Sequence, residues 1–390
     1  MQNKTNLPHA GLVRVVVIGL GNIAKQHINN IVSGAVQGCQ LSAICSRQGS
    51  ELGAELGVQH FSDYRQMCDS GLVDAVIIAT PTMAHFAMAK YALQRNLHVM
   101  LEKPMGLSSY EGEQLLQYAR EDTVFALMLN QRSDPTFVKM KQLVDSGVLG
   151  PVQRTHWTMT HWFRPEIYFQ VSDWRATWKG EGGGMLLNQC IHNLDVFQWI
   201  CGMPVYIQAF CEFGKYHQIE VEDEVTAYFR YANGASGVFV GSTGEAPGVN
   251  RFDIIGDLGS LHFDSGQLSL KRNEQSCAAF NQQTDNMFGM PACQTEVVAI
   301  ADKVNQHAVL MNNFIDAIVH GAALIAPAEQ GLASLDMANA MLLSTWQQQP
   351  VTLPLDRQVY QHALDAKIAQ SALRQKSDRP ATVDMSASYR

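Results

Sequence analysis

What most constrains this chain is the alternation across residues 13–130, where short Val/Ile-rich runs take turns with amphipathic stretches of helical period. Runs apolar on every residue suit strands buried on both faces, and the helices between them supply the covering layers. The pattern predicts strands at Arg14–Gly19, Gln40–Ser46, Val73–Ala79, His98–Glu102 and Phe125–Leu129. Helices are expected over Asn22–Val32, Glu51–Leu56, Thr82–Arg95, Ser109–Glu121 and Thr136–Ser146. This is a βαβ series, and a parallel α/β sheet follows from it.

Beyond Pro151 the period changes. Gln153–Thr160, Tyr206–Phe213, Glu224–Tyr231, Ala235–Ser242, Arg251–Gly256 and Ser260–Asp264 read as strands joined by turns such as Asn233-Gly234, the pattern of antiparallel hairpins. One long helix is expected over Gly184–Cys201. Residues 274–294, rich in Gln and Asn, read as a loop or cover. Val304–Val319, Glu329–Gln347 and Leu355–Ala372 read as helices, and the tail from about Lys376 as disordered. The division expected is a nucleotide-binding domain at 1–150 and an α+β domain at 151–356 with a mainly antiparallel sheet. The final helices of that α+β domain could pack on the first domain, and a helix and tail follow at 357–390.

A chain of 390 residues with a net charge of −8 offers no basic stripe for nucleic acid. Its longest apolar runs are too short for a bilayer span, so no membrane partner is expected. The polar start, Met1–Leu12, lacks the pattern of an export signal, and the eight cysteines show no metal-ligand spacing. A reducing cytoplasm and no metal are the expectations.

Chemistry concentrates at the carboxyl ends of the parallel strands, where ligands collect in such sheets. Gly19-Leu20-Gly21-Asn22-Ile23-Ala24 follows the first strand and opens a helix. The first Gly permits the tight turn, the second lets backbone N–H groups approach a pyrophosphate, and Ala24 allows close helix–strand packing. A dinucleotide site is expected there. The second strand ends Cys45-Ser46-Arg47 without the acid that would bond a 2′-hydroxyl. Ser46 and Arg47 could hold a 2′-phosphate, which favours NADP over NAD. Thr80 and Pro81 close the next strand and should line the cofactor site. His85, one turn on, reads equally as a ribose contact or as a solvated residue at a helix start. Glu102-Lys103-Pro104 ends a further strand: Lys103 could donate to a reacting oxygen, or the pair could be an exposed strand-end ion pair.

Trp157, Trp162, Arg164, Tyr168, Trp174, Arg175, Trp178 and Lys179 crowd one segment. Flat rings beside fork-shaped donors suit a ligand with apolar ring faces and many hydroxyls, and they equally suit a packed cover. Ala246–Arg251 is a second, weaker rim. Asn188, His192 and Asp195 fall at i, i+4 and i+7 of the expected helix and would share one polar face.

Taken together, Gly19–Ala24, Thr80-Pro81-Thr82, Glu102-Lys103-Pro104 and the segment beginning Gly182-Gly183-Gly184 resemble the glucose–fructose oxidoreductase / inositol dehydrogenase superfamily (Gfo/Idh/MocA) over residues 13–356. The resemblance implies a Rossmann domain, an open-faced second domain, an NAD(P) cofactor and a sugar or polyol substrate. It also implies a homodimer or homotetramer. By the same resemblance Lys103 contacts nicotinamide ribose and the reacting hydroxyl, and Glu102 holds the ribose side. Asn130 and Arg132 line the cofactor site, Trp174 and Arg175 approach the active site as cofactor contacts, and His192 is the acid/base. Asn188 stands where the inositol-dehydrogenase pattern has Asp, and an amide orients a hydroxyl but takes no proton. Trp162, Arg164, Tyr168 and Asn188 are the remaining candidate substrate contacts. Two other activities fit the same motifs: an NAD-dependent glycosidase working by transient oxidation, and a non-enzymatic cofactor sensor.

Overall fold

The computed structural model describes residues 11–377 and 381–382. The expectations for the polar start and the terminal tail concern residues that lie, but for a few, outside this range. The chain forms two compact units. One comprises Met1–Ser133 with Val304–Leu335, and the other Asp134–Lys303 with Asp336–Arg390. The break therefore falls one helix before the expected division at residue 150, and the last helix groups with the second unit.

In the first unit, β1 (Val13–Ile18), α1 (Asn22–Val32), β2 (Cys39–Cys45), α2 (Leu52–Glu55), β3 (Gln59–Phe61), α3 (Tyr64–Cys68), β4 (Ala75–Ile78), α4 (His85–Leu93), β5 (His98–Leu101), α5 (Ser109–Leu116) and β6 (Phe125–Leu127) follow in order. The six strands form one sheet in the order β3-β2-β1-β4-β5-β6, and every pairing is parallel. Val15, Val16 and Val17 are fully buried, as expected of a strand covered on both faces. The strand order runs outward in both directions from β1 and β4. Their carboxyl ends therefore sit side by side at the point where ligands bind in such sheets. The short β3 and α3 carry too few residues to show a period in the sequence.

The second unit contains α6 (Pro135–Asp145), β7 (Val152–Met159), α7 (Glu166–Gln170), α8 (Trp178–Glu181) and α9 (Ile191–Cys201). Next come β8 (Tyr206–Phe213), β9 (Glu222–Arg230), β10 (Ser236–Ser242), β11 (Asn250–Gly256), β12 (Gly259–Asp264) and β13 (Gln267–Asn273), then α10 (Cys277–Gln283) and β14 (Cys293–Val297). Its nine-stranded sheet runs β14-β13-β12-β11-β7-β10-β9-β8 and ends on a two-residue strand, Val351–Thr352. Only β7 and β10 pair in parallel; the other pairings are antiparallel. One face holds the core. Trp157 stacks on Phe252 with ring centroids 4.4 Å apart, and Phe197 of α9 stacks beyond it. Trp157 is fully buried there and belongs to the core, not to a ligand site. On the other face Phe210 and Tyr228 remain exposed. The stretch read as a loop at 274–294 holds α10 and the start of β14.

Three further helices follow, α11 (Gln306–His320), α12 (Gly331–Gln347) and, after β15 (Val351–Thr352), α13 (Arg357–Gln370). The residues between α11 and α12 return to the first sheet. Leu127 N donates to Ala326 O, and Ala126 bridges Pro327.

Candidate functional site

The first unit carries an anion cradle. Gly19 has φ +104°, and a Cβ there would stand 2.2 Å from the Ala79 carbonyl oxygen. Only glycine fits this crossing of the β1 and β4 ends. Gly19 N donates to Cys45 O and Ala79 N to Ile18 O, so the turn hangs from three strands. Gly21 is the N-cap of α1, has no side-chain cap, and faces open space where its Cβ would be. No acid stands in the first turn. The amides of Asn22 and Ile23, with Leu20 in the turn before them, leave a helix N-terminus ready for a phosphate. The residues present fit a dinucleotide.

Ser46 and Arg47 follow β2. The Ser46 hydroxyl donates to Gln48 O at 2.6 Å and lies 3.0 Å from His60 Nε2, a neighbour the sequence pattern did not single out. Arg47 is exposed. Thr80 and Pro81 lead from β4 into a short 3₁₀ turn. His85 behaves differently from either expectation. It is 1% exposed, with Nδ1 2.8 Å from Pro104 O and Nε2 2.9 Å from Thr80 O. Burial lowers its pKa, and a neutral ring donates to one of these oxygens at a time. Both nitrogens are turned onto backbone, so His85 ties the Thr80 turn to the Lys103–Pro104 turn instead of meeting a ribose.

Glu102 is buried, and Lys103 beside it is half-buried before a cis Pro104. Glu102 is not an exposed strand-end charge. Its Oε1 lies 2.8 Å from Nε2 of the fully buried His27 on α1, and its Oε2 accepts from Lys103 N at 3.3 Å. Burial pushes the carboxyl pKa up, but the His27 hydrogen bond and the nearby His27, His307 and Lys103 charges outweigh it, to about 2. His307 of α11 is held down to about 4 by burial. Glu102 thus braces α1 from the Lys103 turn, a role that sequence reading missed because His27 is 75 residues away.

Asn130 and Arg132, expected to line the cofactor site, are each 2% exposed. Asn130 Nδ2 donates to Gln306 Oε1 at 2.7 Å. Arg132 donates to Ile325 O at 3.3 Å and to Gln330 Oε1. These long-range partners turn both side chains into the interior of the first unit, which corrects the expectation.

In the second unit the expected helix Gly184–Cys201 begins only at Ile191. Glu222 of β9 holds the amides that lead into it. Gly184 N donates to both its carboxylate oxygens at 2.8 Å, and Leu186 N donates at 2.9 Å. A Cβ on Gly184 would meet Glu222 O at 2.1 Å. Cys190 N reaches back to Met185 O at 2.7 Å, one residue wider than an α-helical bond, and the segment turns until Cys190. Asn188 therefore precedes α9, and the shared face expected for Asn188, His192 and Asp195 does not arise from one regular helix. His192 lies in the first turn of α9 and is 6% exposed. Trp162 Nε1 donates to Asn193 Oδ1 at 3.0 Å, pinning that turn.

Tyr168 is the hub of the aromatic segment. The Arg164 and Arg175 guanidiniums lie 5.2 and 4.3 Å from its ring centroid, and Arg164 also lies 5.3 Å from the Trp162 ring. Trp174 stands 4.9 Å from the Arg175 guanidinium. Tyr168 Oη donates to Asn188 Oδ1 at 3.4 Å and accepts from Gln189 Nε2 at 3.1 Å. Asn188 Nδ2 donates to the buried Glu181. Trp178 instead packs on Trp346 and Phe213, and Lys179 is exposed. Among the described residues no cluster of three or more His, Cys, Asp or Glu could hold a metal ion, and no helix is long and apolar enough to cross a membrane.

Residues 13–130 match the oxidoreductase family GFO/IDH/MocA, NAD-binding Rossmann fold, and residues 137–262 match the GFO/IDH/MocA C-terminal domain. The chain belongs to the Gfo/Idh/MocA oxidoreductase family. Within it, the scyllo-inositol 2-dehydrogenase (NAD(+)) of Bacillus subtilis is 27% identical over 263 residues, 64% of this chain and 73% of that one. The scyllo-inositol 2-dehydrogenase (NADP(+)) IolW of the same organism is 24% identical over 304 residues, 75% and 82% of the two chains. A crystal structure of the WlbA dehydrogenase from Bordetella pertussis in complex with NADH and UDP-GlcNAcA shares the fold. Its TM-score is 0.75 at 23% identity, covering 88% of this chain and all of that one. As a Gfo/Idh/MocA member the chain is an oxidoreductase with an NAD-binding Rossmann domain.

Proposed function

We propose that this family member oxidises a secondary hydroxyl of a sugar, sugar derivative or polyol, and reduces the corresponding ketone in reverse, with NADP as the preferred cofactor. The observation that carries the reading is the uncapped, acid-free start of α1 beneath Gly19 and Gly21, which fits a dinucleotide phosphate. Named relatives that act on inositols support the substrate class. Exposed Arg47 beside Ser46 and His60 supports the 2′-phosphate.

A bound nicotinamide supplies the hydride acceptor or donor. Lys103, at the turn braced by Glu102, steadies the negative charge on the reacting oxygen. His192, held in the first turn of α9, takes the hydroxyl proton on oxidation and returns it on reduction. Asn188 and Tyr168 orient neighbouring hydroxyls, and Trp174 with Arg175 serves the cofactor side. Self-association through the exposed face of the nine-stranded sheet completes the proposal.

The test follows absorbance of the reduced cofactor with NAD or NADP against myo-inositol, D-glucose, D-glucuronate and levoglucosan. Turnover with one of these, lost by at least about 100-fold in His192→Ala and Lys103→Ala with cofactor binding intact, is the expected result. Wild-type turnover in either variant, or no turnover by the native protein on any of them, overturns it.

A further inference from the structure

Four side chains of the second unit form a hydrogen-bond chain with a single direction. Gln189 Nε2 donates to Tyr168 Oη, and Tyr168 Oη donates to Asn188 Oδ1. Asn188 Nδ2 then donates to Glu181 Oε1, while Glu181 Oε2 accepts from Ala176 N at 2.6 Å. The polarity is fixed at one end. Both Glu181 oxygens accept, one from the Ala176 amide and one from the Asn188 NH₂ group, so the Asn188 oxygen is turned toward Tyr168. The tyrosine proton must then point at Asn188. Glu181 is 4% exposed, whereas Asn188 and Tyr168 are half-exposed. The carboxyl group is thus set behind the two groups that a ligand can reach. Such a chain strengthens as each bond polarises the next.

We propose that Glu181 is a positioning residue that fixes the hydrogen-bond polarity of Asn188 and Tyr168. Tyr168 Oη and Asn188 Oδ1 are thereby held as acceptors, and they select a ligand that donates, namely the hydroxyl of a polyol over a keto or ether oxygen. This rests on the reading of Asn188 and Tyr168 as substrate contacts.

Exchange of the two groups tests it. In Glu181→Gln the amide oxygen must accept from Ala176 N, so its NH₂ faces Asn188. Asn188 flips, and the tyrosine proton loses its acceptor. Asn188→Asp alone sets two carboxylates against each other. The double variant Glu181→Gln/Asn188→Asp restores an acceptor to Tyr168, so the Tyr168 proton again points at residue 188, while the bond between residues 181 and 188 is reversed.

KM and kcat are measured for the four proteins with the best substrate among myo-inositol, D-glucose and levoglucosan. Cofactor affinity is measured by fluorescence titration, and thermal melts are recorded. The expected result is a KM at least about 10-fold higher in each single variant and at least about 3-fold lower in the double than in either single, with cofactor affinity unchanged. Asn188→Asp alone should also acquire an acid-shifted pH profile of kcat/KM. Native KM in Glu181→Gln, or a double variant no better than the singles, overturns the proposal. If the native protein turns over none of the three, the functional reading has failed. The melts then decide the relay, because a double variant more stable than the sum of the singles predicts supports it and additivity refutes it.

Discussion

His27 Nε2 and Glu102 Oε1 lie 2.8 Å apart, the imidazole fully buried and the carboxylate 7% exposed. The pair joins the helix that follows the glycine turn to the turn that carries Lys103. Replacing His27 by Leu leaves a buried carboxylate without that donor, which costs on the order of 3–5 kcal/mol. Glu102 is held near pH 2, below its ordinary 4.5, so its contribution is present above about 4.5 and lost as pH falls toward 2. His27→Leu should therefore melt well below the native protein at pH 7, with the gap closing at pH 3. A gap that stays constant across that range refutes the assignment.

Gly19 and Gly21 should respond differently to alanine. At Gly19 the new methyl meets the Ala79 carbonyl and φ is positive, so Gly19→Ala should unfold or sharply destabilise the first unit. At Gly21 the methyl meets nothing in the protein. Gly21→Ala should melt within a few degrees of native yet bind NADP at least about 10-fold more weakly, as titration of cofactor fluorescence will show. Native affinity in Gly21→Ala would place the phosphates elsewhere.

Arg47 is exposed, so its removal should leave the melt unchanged. Arg47→Ala should lower kcat/KM for NADP by about 10-fold or more while leaving NAD nearly unaffected, a differential of roughly 1.4 kcal/mol. Equal losses with the two cofactors would remove Arg47 from the 2′-phosphate site.

Glu222 carries the opposite pH signature to Glu102. Burial raises its pKa from 4.5 to about 7, against the lowering effect of the backbone amides of Leu186, Glu222 itself and Gly184. The folded protein holds that proton more tightly than the unfolded chain. Its contribution is fully present below about 4.5 and is lost as pH rises to about 7, a change on the order of 3 kcal/mol. Relative to native, Glu222→Gln should gain in melting temperature across that interval and stay level above it. A difference that does not move between pH 4.5 and 7 contradicts the titration.

The parts legible in the sequence were those specified locally. Strand β1, the glycine turn and α1 are contiguous, and their residue types admit few other conformations. The hairpin around Asn233-Gly234 is likewise written in turn chemistry. What escaped depends on partners far away in the chain. Helix α9 starts late, after a wide turn whose leading amides, those of Gly184 and Leu186, are held by Glu222, 36–38 residues downstream. His85 could not be known as a brace until the Pro104 carbonyl stood beside it. Asn130 and Arg132 follow a strand end, the usual address of ligand residues, yet Gln306, Ile325 and Gln330 claim them.

That last arrangement sets an order of events during synthesis. Arg132 and Asn130 leave the ribosome about 170–200 residues ahead of the groups that satisfy them, and the whole nine-stranded sheet, apart from its two-residue terminal strand, is translated in between. The nascent nucleotide-binding half must therefore wait, with a buried-to-be guanidinium still hydrated, until residues 306–330 emerge. A chain stopped before residue 304 should be a poor nucleotide binder even though every glycine of its cradle is already present.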